Sequence, residues 1–548
     1  MNEYDLIFIS QSDIVNYEEY SRLPVDRIEL FRDLVFPRMV YFNNGFHHSL
    51  DIINYFRFGS FYADADYPLR QKMLNIWNLP GFNGSHIASY LLRFGIKTKV
   101  INNFDSDWDR FCGTYEKCAK KPLIGISTTF YLSYAEIRRI SKKIHQAYPE
   151  ARIVLGGAFI NEQSINVGAD AFEAAMRKYH ISYILHAFNS EIDLKDLIIS
   201  IKTDTGTDRV NNLCCIERDD FTSGTFITTD QVWNDPVLDD AGGLYDAAEY
   251  PSASHTIQTR TTSGCPFNCA FCSYPRTAGG FHTATNEAVG RQIDAIAALP
   301  GVNKIVFIDD TFNVPISRFK EILRHLKELH IEWFSFLRAQ FVDEDTVQLM
   351  KESGCRAVYL GVESASDRVL ENMNKKATRA QYLNGIRLLK KYGICTISAI
   401  ILGFPGETKE TLKEDIDFIE NSGNDYYTLK EFYYMKHTSI YQDRDKYGLT
   451  GLGSDWQHAT MDRTTASEAK LEMFAAIKNS TFIDPDTSLW HIAYLYDQGF
   501  PFDTILKIQK EINSIIKEQI SGHISDDNPA FDNIKRLVNV RPDRLVSV

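Results

Sequence analysis

The stretch Thr261-Thr262-Ser263-Gly264-Cys265-Pro266-Phe267-Asn268-Cys269-Ala270-Phe271-Cys272 spaces three cysteines as CxxxCxxC, directly after a run that reads as a β-strand. Three thiolates on so short a loop hold three irons of a [4Fe–4S] cube. A closed electron-transfer cluster needs a fourth cysteine, and none follows nearby, so one iron would stay open to a substrate or cofactor. The competing reading is a structural zinc site in which His282 joins Cys265, Cys269 and Cys272 as a tetrahedral Cys₃His set. Spacing alone admits both. A structural zinc usually staples a small domain, whereas this loop leads into a long alternation of helices and strands, which favours the cluster.

That alternation sets the expected fold class, α/β. Over residues 1–200, short apolar runs alternate with amphipathic helices, the pattern of a doubly wound, Rossmann-like parallel sheet with helices on both faces. Strands are predicted at 6–10, 97–102, 123–127, 152–155 and 183–186, the last of the set, with helices at 86–94 and 134–147. Ser127, Thr128, Thr129, Gly156 and Gly157 then fall at the carboxyl edge of the sheet, where doubly wound folds bind ligands. Tight strand-to-helix turns explain those glycines equally well. Residues 201–254 read as a linker, with Cys214-Cys215 as buried strand residues and a loop-rich end at 235–243.

From 255 to 435 the alternation resumes as a partial TIM-like barrel. Its strands, at 304–308, 332–336, 357–362 and 396–402, end in Asp309-Asp310, Leu337-Arg338, Glu363-Ser364 and Gly403-Phe404-Pro405-Gly406-Glu407-Thr408. Barrel sites lie at these strand ends, although the acidic residues there serve equally well as helix caps. Residues 436–548 keep helical periodicity, as at 466–477 and 502–520. They read either as a plug over the open barrel or, with Tyr433, His437, Trp456 and His458, as the wall of a substrate cavity.

Composition narrows the function. The 548 residues are 44% hydrophobic and 24% charged, room for about three domains. A net charge of −13 without Lys/Arg runs argues against a phosphate-tracking surface and a nucleic-acid partner. The acidic start Met1-Asn2-Glu3-Tyr4-Asp5 lacks the basic flank of a signal peptide, and no apolar run approaches the ~20 residues of a membrane span. Nine cysteines in so long a chain are no disulfide framework, and an oxygen-sensitive cluster needs a reducing compartment. A soluble cytoplasmic protein without a membrane partner is expected.

With Phe271 just before the last cysteine, the motif resembles the radical S-adenosylmethionine (radical SAM) superfamily, and residues 403–408 match that family's GFPGET loop. The resemblance implies a [4Fe–4S] cluster on Cys265, Cys269 and Cys272, with S-adenosylmethionine chelating the open iron. It also implies cleavage to a 5′-deoxyadenosyl radical and an electron donor such as a flavodoxin or ferredoxin. Asp310, Glu363 and Ser364 would bind the amino group and ribose of S-adenosylmethionine, Arg338 its carboxylate, and Gly403 would pack near the adenosine.

Residues 1–200 resemble the cobalamin-binding domain of cobalamin-dependent radical SAM enzymes, through Phe82-Asn83-Gly84-Ser85, Gly125-Ile126-Ser127-Thr128-Thr129 and Gly156-Gly157. The DxHxxG signature that supplies a lower-axial histidine is absent, the stretch reading Asn103-Phe104-Asp105-Ser106-Asp107-Trp108. Many members lack that histidine, so cobalamin stays implied, beside a vestigial domain that binds none. Domain order and the regions His437-Thr438-Ser439-Ile440-Tyr441 and Trp456-Gln457-His458-Ala459-Thr460 look most like the subgroup of P-methyltransferases that shades into peptide epimerases. The implied function is methyl transfer to an unactivated carbon or phosphorus centre of a small molecule or peptide, with Tyr433, His437 and His458 as catalytic candidates.

A peptide epimerase is the rival within radical chemistry. It needs a thiol hydrogen donor, and apart from the three ligands the barrel offers Cys355 and Cys395, both before their strands and remote from the chemistry. A cobalamin- or cluster-binding sensor is the reading from another class, and the chain shows no basic recognition helix to support it.

Overall fold

The structure, a computed structural model, describes residues 3–13, 23–240 and 254–539. The chain forms two compact units.

The first unit comprises Met1–Val15, Trp77–Thr261 and Thr283–Val302. Its elements include β1 (Leu6–Gln11), α1 (Phe82–Leu92), β2 (Thr98–Asn103), β3 (Leu123–Ser127), α2 (Tyr134–Ala147), β4 (Ile153–Gly156), α3 (Ala158–Val167), β5 (Tyr183–Leu185), α4 (Glu191–Thr203), β6 (Leu213–Ile216) and β7 (Phe226–Thr228). The strand order is β2-β1-β3-β4-β5-β6-β7, parallel through β5. Successive residues of β1 point to opposite faces: Ile7 and Ile9 join one buried cluster with Ile137, Ile140 and Ile144 of α2, while Leu6 and Phe8 join another with Tyr90 and Leu91 of α1. Both faces are therefore covered, as a parallel sheet requires. The chain reverses its direction of winding between β1 and β3, which places the ligand-binding crevice of this topology at their carboxyl ends.

Two expectations need correction. Tyr183–Leu185 is not the last strand, because β6 and β7 extend the sheet in antiparallel fashion through residues assigned to a linker. Each is only three or four residues long, too short for a period to register. Pairing buries Cys214 on one face and Cys215 on the other. Residues 241–253 of the expected linker lie outside the described residues.

The second unit comprises Asn16–Ile76, Thr262–His282 and Asn303–Val548. Strands β8 (Lys304–Phe307), β9 (Glu332–Leu337), β10 (Cys355–Glu363), β11 (Cys395–Leu402), β12 (Tyr426–Glu431) and β13 (Thr481–Phe482) lie side by side, all parallel. Between them run α5 (Ile316–Leu329), α6 (Arg379–Lys391) and α7 (Lys409–Asn421). Thr378 with Gln381 and Thr408 with Thr411 form capping boxes that satisfy the first N–H groups of α6 and α7. Beyond β13, α8 (Ser488–Asp497) and α9 (Phe502–Ile520) follow. Leu489, Ile492 and Ala493 of α8 pack on Val306, Phe334, Ala357, Ile397 and Tyr426 of the strands, so this part of the C-terminal region is a plug over the barrel core.

Residues 23–76 also belong to this unit, which breaks the expected 1–200 domain. Phe42 packs on Phe531 with ring centroids 4.4 Å apart and planes tilted by 40°, and the Tyr41 backbone exchanges two hydrogen bonds with the Gln519 side chain. Partners more than 450 positions apart leave no trace in local periodicity. Among the described residues, no helix is long and apolar enough to cross a membrane.

Candidate functional site

The cysteine loop is shaped by one glycine and tied down by backbone bonds. Gly264 has φ +77°, and a Cβ built on it would lie 1.6 Å from the Gly280 carbonyl oxygen, so no side chain fits there. Ala270 N–H donates to Met373 O at 2.8 Å, Ile440 N–H donates to Ala270 O at 3.0 Å, and Asn374 Nδ2 donates to Asn268 O at 2.7 Å. So held, Cys265, Cys269 and Cys272 open on one cavity of about 170 Å³. It lies at the carboxyl ends of β8, β9 and β10 and is also lined by Asp310, Thr311, Phe336, Arg338, Tyr359, Gly361, Glu363 and Lys375.

Each thiol has a defined neighbour. Thr311 Oγ1 lies 3.5 Å from Cys265 Sγ, and Arg338 Nη2 donates to Cys269 Sγ at 3.0 Å. Burial, with Cys269, Asp310 and Cys265 nearby, pushes the Cys272 thiol up to about 12. Thr262 Oγ1 donates to Asp309 Oδ1 at 2.6 Å, which explains why Asp310 and not Asp309 faces the cavity. Glu363 adopts φ +70° at a register shift between β10 and β11, and this left-handed kink carries strain that is common at ligand clamps. Its Oε1 accepts from Lys375 Nζ at 2.9 Å, an ion pair with side chains only 12% and 4% exposed.

Of the residues expected at this site, Asp310, Arg338 and Glu363 line the cavity with the three cysteines, whereas others do not. Ser364 is fully buried and donates to Asp415 Oδ1 at 3.1 Å, because successive strand residues face opposite ways. Gly403, φ +83°, passes beneath Trp456, whose ring carbon a Cβ would meet at 2.3 Å. His458 stacks on Trp456, and both its nitrogens are engaged: Nε2 with Gly403 O at 3.0 Å and Nδ1 with Thr460 Oγ1 at 3.2 Å. Burial holds its pKa below the ordinary value, so it stays neutral and bolts the GFPGET loop in place. Tyr433 is exposed and His437 half-buried, on the loop after β12, and neither lines the cavity.

In the first unit, the crevice between β1 and β3 holds Asn83, whose Nδ2 donates to Ser127 Oγ at 2.6 Å and Ser10 O at 3.0 Å. Ser127 Oγ lies 3.1 Å from the exposed Thr129 Oγ1. Gly157 has φ +112°, with the N–H groups of Thr128 and Thr129 3.0 Å from where its Cβ would be, while Gly156 has room for close approach. Thr128 does not face this edge: it is fully buried and donates to Gly156 O at 2.9 Å, joining β3 to β4. The stretch that stands where the histidine signature would lie closes on itself, Asp105 taking both Arg139 Nη groups at 2.5 and 2.9 Å.

Residues 259–419 match the Radical SAM superfamily. The chain carries a radical SAM domain. Such a domain holds a [4Fe–4S] cluster and S-adenosylmethionine, and the donor set fits them. The three thiols line one cavity, together with Asp310, Glu363 and Lys375. His282 does not line the cavity. A thiol displaced upward, like that of the half-buried Cys272, becomes a thiolate when iron supplies the compensating charge.

The chain is 36% identical over 171 residues to an uncharacterized methyltransferase of Pyrococcus horikoshii, across 30% of this chain and 37% of that one. It is 27% identical to the ribosomal protein uS12 methylthiotransferase RimO of Clostridium novyi, across 31% and 41% respectively. The chain thus spans about two-fifths of the length of these curated relatives. The cobalamin-dependent radical SAM enzyme OxsB shares the fold, with TM-score 0.53, 15% identity, and coverage of 84% of this chain and 76% of that one. The radical SAM methyltransferase TsrM of Kitasatospora setae does too, with TM-score 0.53, 16% identity, and 84% and 96% covered.

Behind the radical SAM cavity, two buried carboxylates brace the strand ends. Glu407 Oε2 accepts from Gly403 N–H, and Asp415 Oδ1 accepts from Ala365 N–H as well as from Ser364. Glu407 Oε1 and Asp415 Oδ2 are buried with no donor. Burial pushes the Asp415 carboxyl up to about 7, and burial with the Asp415 charge holds Glu407 well above the carboxylate range. Groups raised on folding stabilise fully below their unfolded value, near 4, and that stabilisation is lost as pH rises through the folded value. The melting temperature is therefore expected to fall between about pH 5 and pH 8, and Asp415→Asn is expected to flatten this slope. Parallel pH profiles for the two proteins would show the pair to be ionised throughout.

Proposed function

We propose that this chain is a cobalamin-dependent radical SAM methyltransferase acting on an unactivated carbon or phosphorus centre of a small molecule or peptide. The observation that carries the reading is the meeting of three thiols with Asp310, Glu363 and Lys375 in one cavity at the carboxyl ends of parallel strands. A cluster held there by Cys265, Cys269 and Cys272 would supply the electron for cleavage of S-adenosylmethionine, and cobalamin held by the first unit would supply the methyl group. The chain does the positioning. Cys265, Cys269 and Cys272 hold the cluster. The carboxylates of Glu363 and Asp310 suit the ammonium and ribose hydroxyls of S-adenosylmethionine, and Lys375 suits its carboxylate. Phe336 and Tyr359 supply apolar wall that keeps water out. Tyr433 and His437 follow the carboxyl end of β12, the end at which barrel enzymes take substrate, and are assigned to substrate contact.

Cobalamin is assigned to the first unit. Ser127, Thr129, Gly156 and Gly157 supply hydroxyls and bare backbone at the switch point, flanked by Phe130 and Leu132, 43% and 94% exposed, as apolar surface for a large ring. TsrM and OxsB, which share the fold, have each been solved with cobalamin. Epimerisation is the weaker reading, because Cys355 and Cys395 begin β10 and β11, at the end away from the cavity, and burial raises both thiols well above their ordinary value.

Anaerobic reconstitution tests the reading. Protein supplied with iron and sulfide is expected to hold about four irons per chain. On reduction it should release 5′-deoxyadenosine from S-adenosylmethionine, and it should bind cobalamin as seen in its visible spectrum. Tightly held zinc with no such release would overturn the radical reading. Cleavage without cobalamin binding would overturn methyl transfer in favour of the epimerase.

A further inference from the structure

Arg338 was expected to meet the carboxylate of S-adenosylmethionine, but its side chain is committed elsewhere. Nη2 donates to Cys269 Sγ at 3.0 Å and Nη1 donates to Lys375 O at 3.0 Å. The guanidinium carbon lies 3.6 Å from the centroid of the Phe267 ring, within the cysteine loop itself, and Phe267 stacks in turn on Phe341 at 5.6 Å. The backbone is locked as well: Arg338 N–H donates to Asn313 Oδ1 at 3.1 Å, and Asn313 Nδ2 donates to Arg338 O at 2.9 Å. Arg338 is 5% exposed and Cys269 is 5% exposed, so the contact lies out of water. A guanidinium cannot be deprotonated in a protein, and this one is held by its carbonyl partner, its ring and its backbone before any cluster arrives.

We infer that Arg338 is a positioning residue for the iron–sulfur cluster, setting its reduction potential through the hydrogen bond to the Cys269 sulfur. The inference rests on the radical SAM reading proposed above. Hydrogen bonds to ligating sulfurs and nearby charge are among the levers that set cluster potentials. One-electron reduction adds a negative charge to the cluster. A donor that draws electron density from a thiolate, and a fixed positive charge beside it, both stabilise the reduced form, the more so in a buried, low-dielectric site. Asp310 and Glu363 in the same cavity act in the opposite sense. Arg338 therefore offsets the charge of those two carboxylates and keeps the cluster reducible.

The test is a redox titration of the reconstituted full chain, without S-adenosylmethionine, with the reduced cluster read by electron paramagnetic resonance and the electron drawn from dithionite. Arg338→Gln is expected to load iron as the parent does, and to lower the ratio of reduced to oxidised cluster about tenfold at a fixed potential, 59 mV for one electron. Should the glutamine variant assemble no cluster, Arg338→Lys carries the test. It keeps the charge without the forked donor, so a smaller shift of the same sign is expected. A fully loaded variant that titrates with the parent would overturn the role of Arg338 and leave the radical SAM reading intact. A parent chain that assembles no [4Fe–4S] cluster would overturn both.

Discussion

Replacing Cys265, Cys269 and Cys272 together with alanine is expected to leave a folded protein that holds no cluster iron and releases no 5′-deoxyadenosine from S-adenosylmethionine. The fold should survive, because the loop is held by backbone bonds that the substitution leaves in place, at Ala270, Asn268 and Cys272, and two of the three side chains are only half-buried. Activity should vanish because iron in a [4Fe–4S] cluster is bound through thiolates, and these three are the thiols that line the cavity. Iron content and product release after anaerobic reconstitution, beside circular dichroism, check both halves. Retained stoichiometric iron would place the metal elsewhere in the chain. His282→Ala is a useful companion, since a Cys₃His zinc site would lose its metal with that change and the cluster would not.

Gly264→Ala is expected to do nearly as much damage with a single methyl group. At φ +77° an L-residue pays roughly 1–2 kcal/mol, and here the added carbon also falls 1.6 Å from the Gly280 carbonyl oxygen. Both partners are backbone, so no rotamer relieves the clash. The segment between Gly264 and Gly280 must move, and Cys265 moves with it. Destabilisation well above the ~1 kcal/mol of a typical substitution is expected, with most of the cluster iron lost on desalting. Gly168 provides the contrast: φ is +86°, yet nothing lies within 4 Å of its would-be Cβ, so alanine there should cost only the conformational term and leave iron loading unchanged. Equal losses from the two substitutions would show that conformation, not the approach of Gly280, is what Gly264 serves.

Much of the architecture was legible in residue order. Alternation along Leu6-Ile7-Phe8-Ile9, amphipathic helices such as Tyr134–Ala147, and glycines at strand ends each report a local rule, so the doubly wound sheet, the barrel and the cysteine loop could be read directly. Part of the site was readable too and was passed over. Counting back by two from Glu363 along β10 reaches Gly361 and Tyr359, and counting back by two from Arg338 reaches Phe336, all of which line the cavity. The same rule would have turned Ser364 into the wall. Lys375 carried no such signal, since it follows a short helix and reaches Glu363 only through the fold.

What tertiary structure alone decided is which polar group meets which. The chain determined by itself that three thiols, several carboxylates and an arginine would stand at strand ends. Whether Arg338 would meet a ligand or a cysteine, whether His458 would be free or bolted to Gly403, and whether residues 23–76 would join the sheet before them or the helices far beyond depended on distances between segments remote in the chain. Periodicity is a property of neighbours along the backbone and so reports which face a residue takes. Hydrogen bonds and ion pairs form over about 3 Å of space, and only packing brings such partners that close.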